Sequence, residues 1–413
     1  MTLVRYQIEE EGAFGFKVMG EVHTPSRELI LQAHPSVAGQ PDPQDHFLGL
    51  KATCGQTGGI LPVIPISPGE WRVDQAAGTV RFSYSVQLPP VLGDFSSYLK
   101  GWREGDHAFF LGLTVFLAVA DPNARYRLSF RRNPYSSCPE EDGEFFCGSR
   151  RQLFLGAFAQ GPYKRTEVRC QSHLLILLRE ERAPARWDGL LSPISLMLPH
   201  LLALFGQAPF RRLTFFLFAH PAAGRKEMGS GLAIPEGILL TFPGQSSPGE
   251  DPRHLWLVLH ECLHQWLGMD LRPEEPGLAW FFEGFTAFFT LALLKRGGFA
   301  DEAYVKTLVD INRQAYLTAA QKLVAVPGSV PDYATESDYL FHGGFFLAWL
   351  LDQDWRKSQD LDLSAWMKAF YKENQGRGLN AATLLKALQA AAPGGRLPDY
   401  LPGFLRREKL LPI

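Results

Sequence analysis

The sequence is organised around two neighbouring apolar stretches, HLWLVLHECLHQWLG at residues 254–268 and LAWFFEGFTAFFTLALLK at residues 278–295. The first contains His260, Glu261 and His264 in an H-E-x-x-H pattern. On a helix, residues i and i+4 lie on one face a turn apart, so both imidazoles can reach one metal ion. Two histidine ligands and a glutamate base are typical of zinc proteases. A solvated surface helix is the alternative, but the apolar flanks favour burial.

The second stretch offers the third protein ligand that a tetrahedral zinc site with one open position requires. Eighteen residues separate His264 from Glu283, which lies in the apolar run WFFEGFTAFF. A carboxylate in such a run is costly to bury unless it pairs with a cation or binds a metal. A salt bridge with Arg272 or Lys295 would also satisfy it. We predict that Glu283 and the two histidines hold one Zn²⁺ per chain.

These residues resemble the motif of the gluzincin metallopeptidases: H-E-x-x-H, eighteen residues, then Glu283 followed by Gly284 and Phe285. The phrase LAWFFEGFTAFFTLALLKRGG is most similar to the glycyl-aminopeptidase family, a relative of the alanyl and leucyl aminopeptidases. The resemblance is strongest over Gly229–Arg356. It implies a peptide substrate and a thermolysin-like catalytic domain, in which Glu261 takes a proton from zinc-activated water and delivers it to the leaving amine.

Composition excludes several other classes of protein. A chain of 413 residues is too long for one ordinary core, which predicts two or three domains. Hydrophobic content of 46% and charged content of 20% are those of a globular protein. The net charge of -2, without a Lys/Arg cluster, argues against a nucleic-acid partner.

We expect a cytoplasmic protein without a membrane partner. The first residues, MTLVRYQIEEEGAFGF, lack the basic and then apolar order of a signal peptide. Three apolar runs, at 108–120, 190–206 and 278–294, are too short or are interrupted by proline, histidine or glutamate, so none is a clean membrane span.

The five cysteines also favour reduced thiols, because their number is odd and no signal peptide is apparent. Cys138 and Cys147 flank the acidic segment PEEDGE and could pair across a hairpin, although we expect them to be reduced. Cys262 lies between the two zinc histidines, and we expect it to fill the core.

The pattern along the chain predicts a multidomain α+β fold. Residues 1–165 contain short apolar or alternating runs between Gly, Pro and Asp turn signals, which predicts an all-β domain. We expect it to act by packing, although its edge could line the cleft. Residues 166–300 have a mixed pattern, with strands predicted in HLLILLREE, RRLTFFLFAH and GILLTF, and the resemblance implies that they form a thermolysin-like zinc catalytic domain with a small mixed sheet. Residues 301–413 predict a helical region that closes the cleft, with no C-terminal PDZ domain.

The segment GSGLAIPEG, residues 229–237, occupies the place of the Gly-x-Met-Glu-Asn motif of the aminopeptidases that the chain resembles. In that motif the glutamate binds the free amino group of the substrate. Aligned through Gly231, the glutamate position falls on Ile234, and Glu236 follows two residues later. We expect Gly231 and Glu236 to contact the substrate. The alternatives are a turn carboxylate at Glu236 and an endopeptidase that has no amine anchor.

The segment DYLFHGG, residues 338–344, occupies the place of the family's Tyr-x-Lys-Gly, whose tyrosine donates a hydrogen bond to the oxyanion. Aligned through Gly343, Leu340 stands at the tyrosine position and His342 at the lysine, and Tyr339 comes one residue early. One helical position rotates a side chain by about 100°, so Tyr339 can serve only if the helix begins irregularly. His342 is the alternative donor, and packing is the structural alternative for both residues.

The sequence therefore predicts a zinc-dependent peptide hydrolase, and an aminopeptidase first. An endopeptidase-like enzyme and a zinc-binding pseudoenzyme are the alternatives. The departures at Ile234 and Leu340 favour the pseudoenzyme, whereas the intact Glu261 argues against it.

Overall fold

The structure of the protein, a computed structural model, describes residues 2–35, 46–90, 99, 101–220, 229–323, 333–359, 362–391, 401, 404–405 and 411. It confirms a multidomain α+β fold: β-sheets fill the N-terminal part, a mixed sheet with helices follows, and the C-terminal part is helical.

The N-terminal part is built from short strands, most of which alternate buried and exposed residues as a strand with one face on a core does. In chain order the described strands are β1 (Leu3–Glu11), β2 (Gly15–Thr24), β3 (Glu28–Gln32), β4 (Phe47–Cys54), β5 (Ile60–Leu61), β6 (Val63–Ser67), β7 (Glu70–Asp74), β8 (Gly78–Gln87), β9 (Trp102–Glu104), β10 (His107–Leu111), β11 (Ala118–Val119), β12 (Arg125–Phe130), β13 (Tyr135–Ser136), β14 (Glu140–Glu141), β15 (Glu144–Cys147) and β16 (Ala157–Gln160). A short helix, α1 (Arg150–Leu155), lies between β15 and β16.

These strands form three sheets among the described residues. The largest has the order β14-β15-β12-β1-β2-β8-β4-β5, and two smaller sheets have the orders β13-β16-β10-β9 and β11-β3-β7-β6. Side chains from all three sheets share one apolar core that includes Tyr6, Phe82, Phe110 and Phe158. The sheets therefore pack on one another in layers, as antiparallel sheets with one apolar face do.

The mixed sheet follows directly. It consists of β17 (Tyr163–Cys170), β18 (His173–Glu180), β19 (Arg212–His220), β20 (Ser230–Ile234) and β21 (Gly237–Pro243), in the order β17-β18-β19-β21-β20. Strands β18, β19 and β21 are parallel, and the antiparallel strands β17 and β20 lie at the edges. One face packs against the N-terminal sheets through Trp102, Phe109, Phe218 and Ile234.

Helices cover the other face. Helix α2 (Leu191–Phe205) connects β18 to β19, and α3 (Pro252–Leu263) follows β21. Helix α3 begins at a strong N-cap, because the Asp251 side chain accepts a hydrogen bond from the Arg253 backbone N–H and Pro252 occupies the first turn. Residues Ala185–Phe205 are long and apolar enough to cross a membrane by length and composition, but half of the apolar window is buried inside the protein, as in a core helix.

The remaining helices form the C-terminal part, and they include α4, which is buried on nearly all sides. They are α4 (Ala279–Arg296), α5 (Glu302–Leu323), α6 (Tyr333–Gln359), α7 (Leu363–Asn374) and α8 (Ala381–Ala391). Two short strands, β22 (Arg272–Pro273) and β23 (Gly378–Leu379), pair in parallel and join the segment after α3 to the C-terminal part.

Helices α4 and α6 approach at backbone distance through a pair of glycines. A Cβ atom on Gly284 would overlap the backbone of Gly344, and one on Gly344 would overlap the Trp280 carbonyl. Since Gly284 follows Glu283 directly, this contact fixes the helix that carries the predicted third ligand.

Candidate metal centre

The predicted metal ligands meet where α3 ends. His260 lies in the last turn of α3 and His264 is its C-cap, so their rings project from one face of the helix. The two Nε2 atoms are 3.1 Å apart. Glu283, in the second turn of α4, places Oε2 3.4 Å from each of them. The crossing of the two helices thus brings three ligand atoms to one point.

These distances fit a tetrahedral zinc site. Ligand atoms about 2.0–2.1 Å from a zinc ion in tetrahedral geometry lie roughly 3.3 Å from one another, close to the observed 3.1 and 3.4 Å. The His264 Nδ1 is 2.8 Å from the Leu267 carbonyl oxygen, to which it donates in the tautomer that leaves Nε2 as an acceptor. Acceptor atoms that converge in this way require a cation or a proton between them.

The charges around the centre favour a cation. Burial alone would raise the pKa of the Glu283 carboxyl, but the His264 and His260 imidazoles hold it well below its usual range. Burial lowers the pKa of His264, whereas the Glu283 carboxylate raises it more, to about 9 overall. The carboxylate is therefore ionised, and its charge attracts either a proton on His264 or a metal ion.

Glu261 lies beside the ligands and against the edge strand β20. It is buried, and burial raises the pKa of its carboxyl. The Ala233 backbone N–H donates a hydrogen bond to it. A Cβ atom on Gly231 would lie 2.8 Å from Oε1 of Glu261, so this strand can approach the carboxylate only because residue 231 is glycine. Gly231 thus packs directly against the Glu261 side chain.

Strand β20 is tied to the metal helix by Gln265, a buried residue directly after His264. Its Nε2 donates to the carbonyl oxygens of Ile234 and Gly237, each at 3.0 Å. These carbonyls flank the turn between β20 and β21. Gln265 therefore fixes the hairpin against the helix that carries the ligands.

Neither candidate for an amine anchor faces the three ligands. Ile234 is 1% exposed and packs in the core between the mixed sheet and the N-terminal sheets. Glu236 occupies the hairpin turn with a positive φ of 55°, and it shares a surface pocket with Glu140 and Arg212. Burial raises the pKa of the Glu236 carboxyl, and nearby Arg212 lowers it. The structure therefore separates Glu236 from the edge of β20 that approaches Glu261.

The two predicted oxyanion donors are occupied by other contacts. The Tyr339 hydroxyl donates to the Phe404 carbonyl oxygen at 2.8 Å, and its ring stacks between Tyr316 and Phe404 in the core. His342 Nδ1 lies 2.7 Å from Asn312 Oδ1. The irregularity expected at the start of the helix exists, since Glu336 in α6 is not helical. The hydrogen bond and the stacking of Tyr339 nevertheless argue against its predicted role as oxyanion donor.

Phe341 is the residue of α6 that reaches the metal centre. Its ring centroid lies 5.7 Å from that of His260 and 6.2 Å from that of Trp256, which itself stacks on His260 at 4.9 Å. If the Tyr-x-Lys-Gly of the aminopeptidases that the sequence resembles is aligned through Gly344 instead of Gly343, Phe341 stands at the tyrosine position. The sequence contained the signal, a glycine pair that permits two alignments.

The aromatic contacts orient the His260 ring, because its Nδ1 makes no hydrogen bond to the residues that the structure describes. That nitrogen is buried. Trp256 and Phe341 therefore orient the ring by packing, where His264 is oriented by a hydrogen bond. No local sequence pattern marks Trp256, Phe341 or Gln265 as residues of the metal centre, because their neighbours come together only when the helices and the hairpin are assembled.

Comparisons with known proteins place the fold. No protein-family model and no curated protein sequence matches the chain. The aminopeptidase N family protein from Idiomarina loihiensis is similar in structure, with a TM-score of 0.78 at 19% identity over 100% of this chain and 77% of that chain. An M1 zinc metallopeptidase from Deinococcus radiodurans gives a TM-score of 0.62 at 17% identity, over 100% of this chain and 94% of that chain. A variant of that enzyme bound to a Tyr-Ser-Ala substrate gives the same values.

Identities this low establish likeness of fold. The chain therefore has the fold of the M1 zinc metallopeptidases, and within that fold His260, His264 and Glu283 form a cluster suited to a zinc ion.

Proposed function

We propose that this chain is a zinc-dependent peptide hydrolase. The observation that carries the proposal is the cluster of His260 Nε2, His264 Nε2 and Glu283 Oε2 at zinc-ligand distances, with the buried Glu261 carboxylate beside it. The chemistry that zinc supplies, when these residues hold it, is Lewis acidity that brings the pKa of water to near 7.

Glu261 serves as the general base in this proposal. Burial raises the pKa of its carboxyl, which makes it a better proton acceptor than an exposed glutamate. It takes a proton from the attacking water and delivers it to the amine that leaves. The Ala233 N–H holds the carboxylate in place.

The edge strand supports an extended peptide as the substrate. Strand β20 is the last strand of the mixed sheet among the described residues, so its outer edge can pair with an extended chain through main-chain hydrogen bonds. Such pairing would lay the substrate beside Glu261, because β20 contacts Glu261 through Gly231 and Ala233. The solved Deinococcus variant with its Tyr-Ser-Ala substrate makes a peptide substrate plausible for this fold.

We propose an aminopeptidase first, since residues 278–298 resemble the glycyl-aminopeptidase family. An endopeptidase-like enzyme is the second candidate. A specific observation favours it: Ile234 is buried in the core and Glu236 faces the pocket of Arg212, so neither residue is placed to bind a substrate amine. A zinc-binding pseudoenzyme is the third candidate, because the hydroxyl of Tyr339 is already bonded and Phe341 brings no hydroxyl to the centre.

The test is hydrolysis of a series of aminoacyl anilides by the zinc-loaded protein, each with and without an N-acetyl cap. Cleavage of uncapped substrates alone supports the aminopeptidase, and cleavage of both forms supports the endopeptidase-like enzyme. Stoichiometric zinc without cleavage of either form, or of unlabelled peptides, overturns the hydrolase and leaves the pseudoenzyme.

The matched control is Glu261→Gln, which keeps the size of the side chain and removes the base. We expect it to retain zinc and to lose hydrolysis by a factor of about 10² or more. Glu283→Ala should instead lose zinc to a mild chelator. Wild-type turnover in Glu261→Gln would exclude the proposed base, and unchanged zinc retention in Glu283→Ala would exclude the proposed ligand.

A further inference from the structure

We propose that Arg151, which belongs to the N-terminal β-part of the chain, is a positioning residue for the metal ligand His264. The inference rests on the proposed zinc site and goes beyond it. It assigns to the N-terminal part a role in the metal centre in addition to the packing role that the sequence predicts.

Arg151 reaches across to the segment that follows the second histidine. Its Nη1 donates to the Met269 carbonyl oxygen at 2.7 Å, and its Nη2 donates to the Gly268 carbonyl oxygen at 3.2 Å. Nη2 also lies 3.3 Å from the Met269 sulfur. A guanidinium can bind two neighbouring carbonyls at once because its donors form a rigid planar fork.

The base of this contact is well anchored. Arg151 lies in the first turn of helix α1, and the side chain of Ser149 caps that helix by accepting a hydrogen bond from Gln152 N–H. The side chain of Arg151 is partly buried between the two parts of the protein. The capped helix therefore fixes the backbone from which the Arg151 side chain reaches the two carbonyls.

The segment that Arg151 binds is the turn that orients His264. We call Leu267–Leu271 the ligand turn. The Leu267 carbonyl accepts the hydrogen bond from His264 Nδ1 at 2.8 Å, and the Met269 N–H donates to the His264 carbonyl at 2.9 Å. Arg151 binds the carbonyls of Gly268 and Met269, the two residues that directly follow Leu267. A shift of the ligand turn would therefore move the acceptor that sets the His264 ring.

The ligand turn is closed by its own backbone hydrogen bonds, such as that from the Gly268 N–H to the Leu271 carbonyl oxygen at 2.8 Å, but it contains one glycine in the left-handed region. Gly268 has a φ of 129°, which other residues rarely adopt, so the turn contains a residue with wide conformational freedom. The ligand turn is also bound through Asp270, whose Oδ2 accepts from the Tyr371 hydroxyl at 2.6 Å and from Gly376 N–H at 3.1 Å. Arg151 and Tyr371 thus tie the turn to the N-terminal and C-terminal parts.

The chain offers a matched control one residue away. Arg150 carries the same charge on the same helix, but it is exposed and donates to the Gln32 side chain at 2.7 Å. Replacing either arginine by methionine removes one positive charge from α1 and keeps most of the side-chain length. A difference between the two variants therefore reports the contact with the ligand turn.

The experiment measures the rate at which zinc leaves the full-length protein in excess chelator, together with the visible absorption spectrum after Co²⁺ substitution. Removal of a group that orients a metal ligand typically weakens metal binding by about 10–100-fold. Because Arg151 acts through the turn, we expect Arg151→Met to speed zinc loss by about tenfold and to alter the Co²⁺ spectrum. Arg151→Lys, with one ammonium in place of the fork, should fall between Arg151→Met and wild type, and Arg150→Met should match wild type.

Equal zinc loss and identical Co²⁺ spectra in the two methionine variants would overturn the inference, even if Arg151→Met melts at a lower temperature, since that result shows packing alone. If Arg151→Met does not fold, Arg151→Lys decides by the same comparison with Arg150→Met. Failure of wild-type protein to bind zinc or Co²⁺ stoichiometrically is a different outcome, and it refutes the proposed function first.

Discussion

Gln265 joins the metal helix to the edge strand, and its replacement by leucine tests that connection. The change keeps the side chain about the same size and removes the amide that donates to the Ile234 and Gly237 carbonyls at 3.0 Å each. Gln265 is 2% exposed, so no water can readily replace the lost donor. We expect the hairpin of β20 and β21 to loosen and hydrolysis to fall with it.

The magnitude follows from the two bonds. A buried carbonyl left without its donor costs about 1–3 kcal/mol, so two carbonyls in the lower half of this range cost about 3 kcal/mol. The leucine side chain, which is apolar throughout, returns about 1 kcal/mol. The hairpin should therefore be less stable by about 2 kcal/mol, which corresponds to about 30-fold faster opening because 1.4 kcal/mol is a factor of ten.

Hydrogen exchange read by mass spectrometry is the suitable assay, because a chain of this size need not unfold in two states. Peptides that cover residues 229–243 should exchange about 30-fold faster in Gln265→Leu. The matched control is Gln314→Leu, at an exposed residue of α5 whose amide lies 3.4 Å from the Thr318 hydroxyl. Equal exchange of the hairpin in the two variants would refute the role given to Gln265.

Four further outcomes are expected. Zinc affinity, measured against a chelator and corrected for the chelator's own protonation, should rise about tenfold per pH unit from pH 6.5 to about 9 and then level off. The reason is that zinc must displace the proton of His264. A zinc affinity that does not change with pH would contradict this charge arrangement. In the zinc-free protein the raised pKa of His264 stabilises the fold fully below pH 6.5, and this contribution is lost as the pH passes about 9. The sulfurs of Cys138 and Cys147 are 3.5 Å apart, so diamide should oxidise them to a disulfide while it is itself reduced to its hydrazine. Two of the five thiols should then no longer titrate after denaturation. A loss of no thiols would show that burial protects the pair. Phe341→Ala should weaken zinc binding about three- to tenfold, the range of one aromatic contact. The control Phe14→Ala, at an exposed residue, should leave zinc binding unchanged. Equal zinc affinities of the two variants would exclude support of the His260 ring by packing.

The metal ligands could be predicted because their signals are local. His260 and His264 are one helical turn apart, and any helix through them brings the rings together. Glu283 stood out because its neighbours are all apolar, so it needed a partner. The end of α4 was also predictable, since Gly297 is its C-cap.

The residue of α6 that contacts the metal centre could not be predicted, because Gly343 and Gly344 permit two alignments that differ by one residue. Only the packing of Gly344 on the Trp280 carbonyl shows which face of α6 meets the metal centre. That face presents Phe341, whereas Tyr339 turns to the core and Phe404.

Two strands of the mixed sheet and one contact could not be predicted from the sequence for other reasons. Strand β17 is an edge strand with many charged residues, and its exposed face hides the strand pattern. Strand β20 is short and contains Gly231, which weakens the signal of a strand. The contact of Arg151 with Met269 joins residues separated by 118 positions, and no local pattern reports such a pair.

The backbone contact between Gly284 and Gly344 also limits how the protein can move. Two helices that touch through side chains can slide or rock as those side chains change rotamer, but helices in backbone contact have no such adjustable layer. Helix α4, with Glu283, and helix α6, with Phe341, should therefore travel as one rigid body. We therefore expect any opening that admits a substrate to take place along the other wall, where strand β20 is held to the metal helix by hydrogen bonds that can break and re-form.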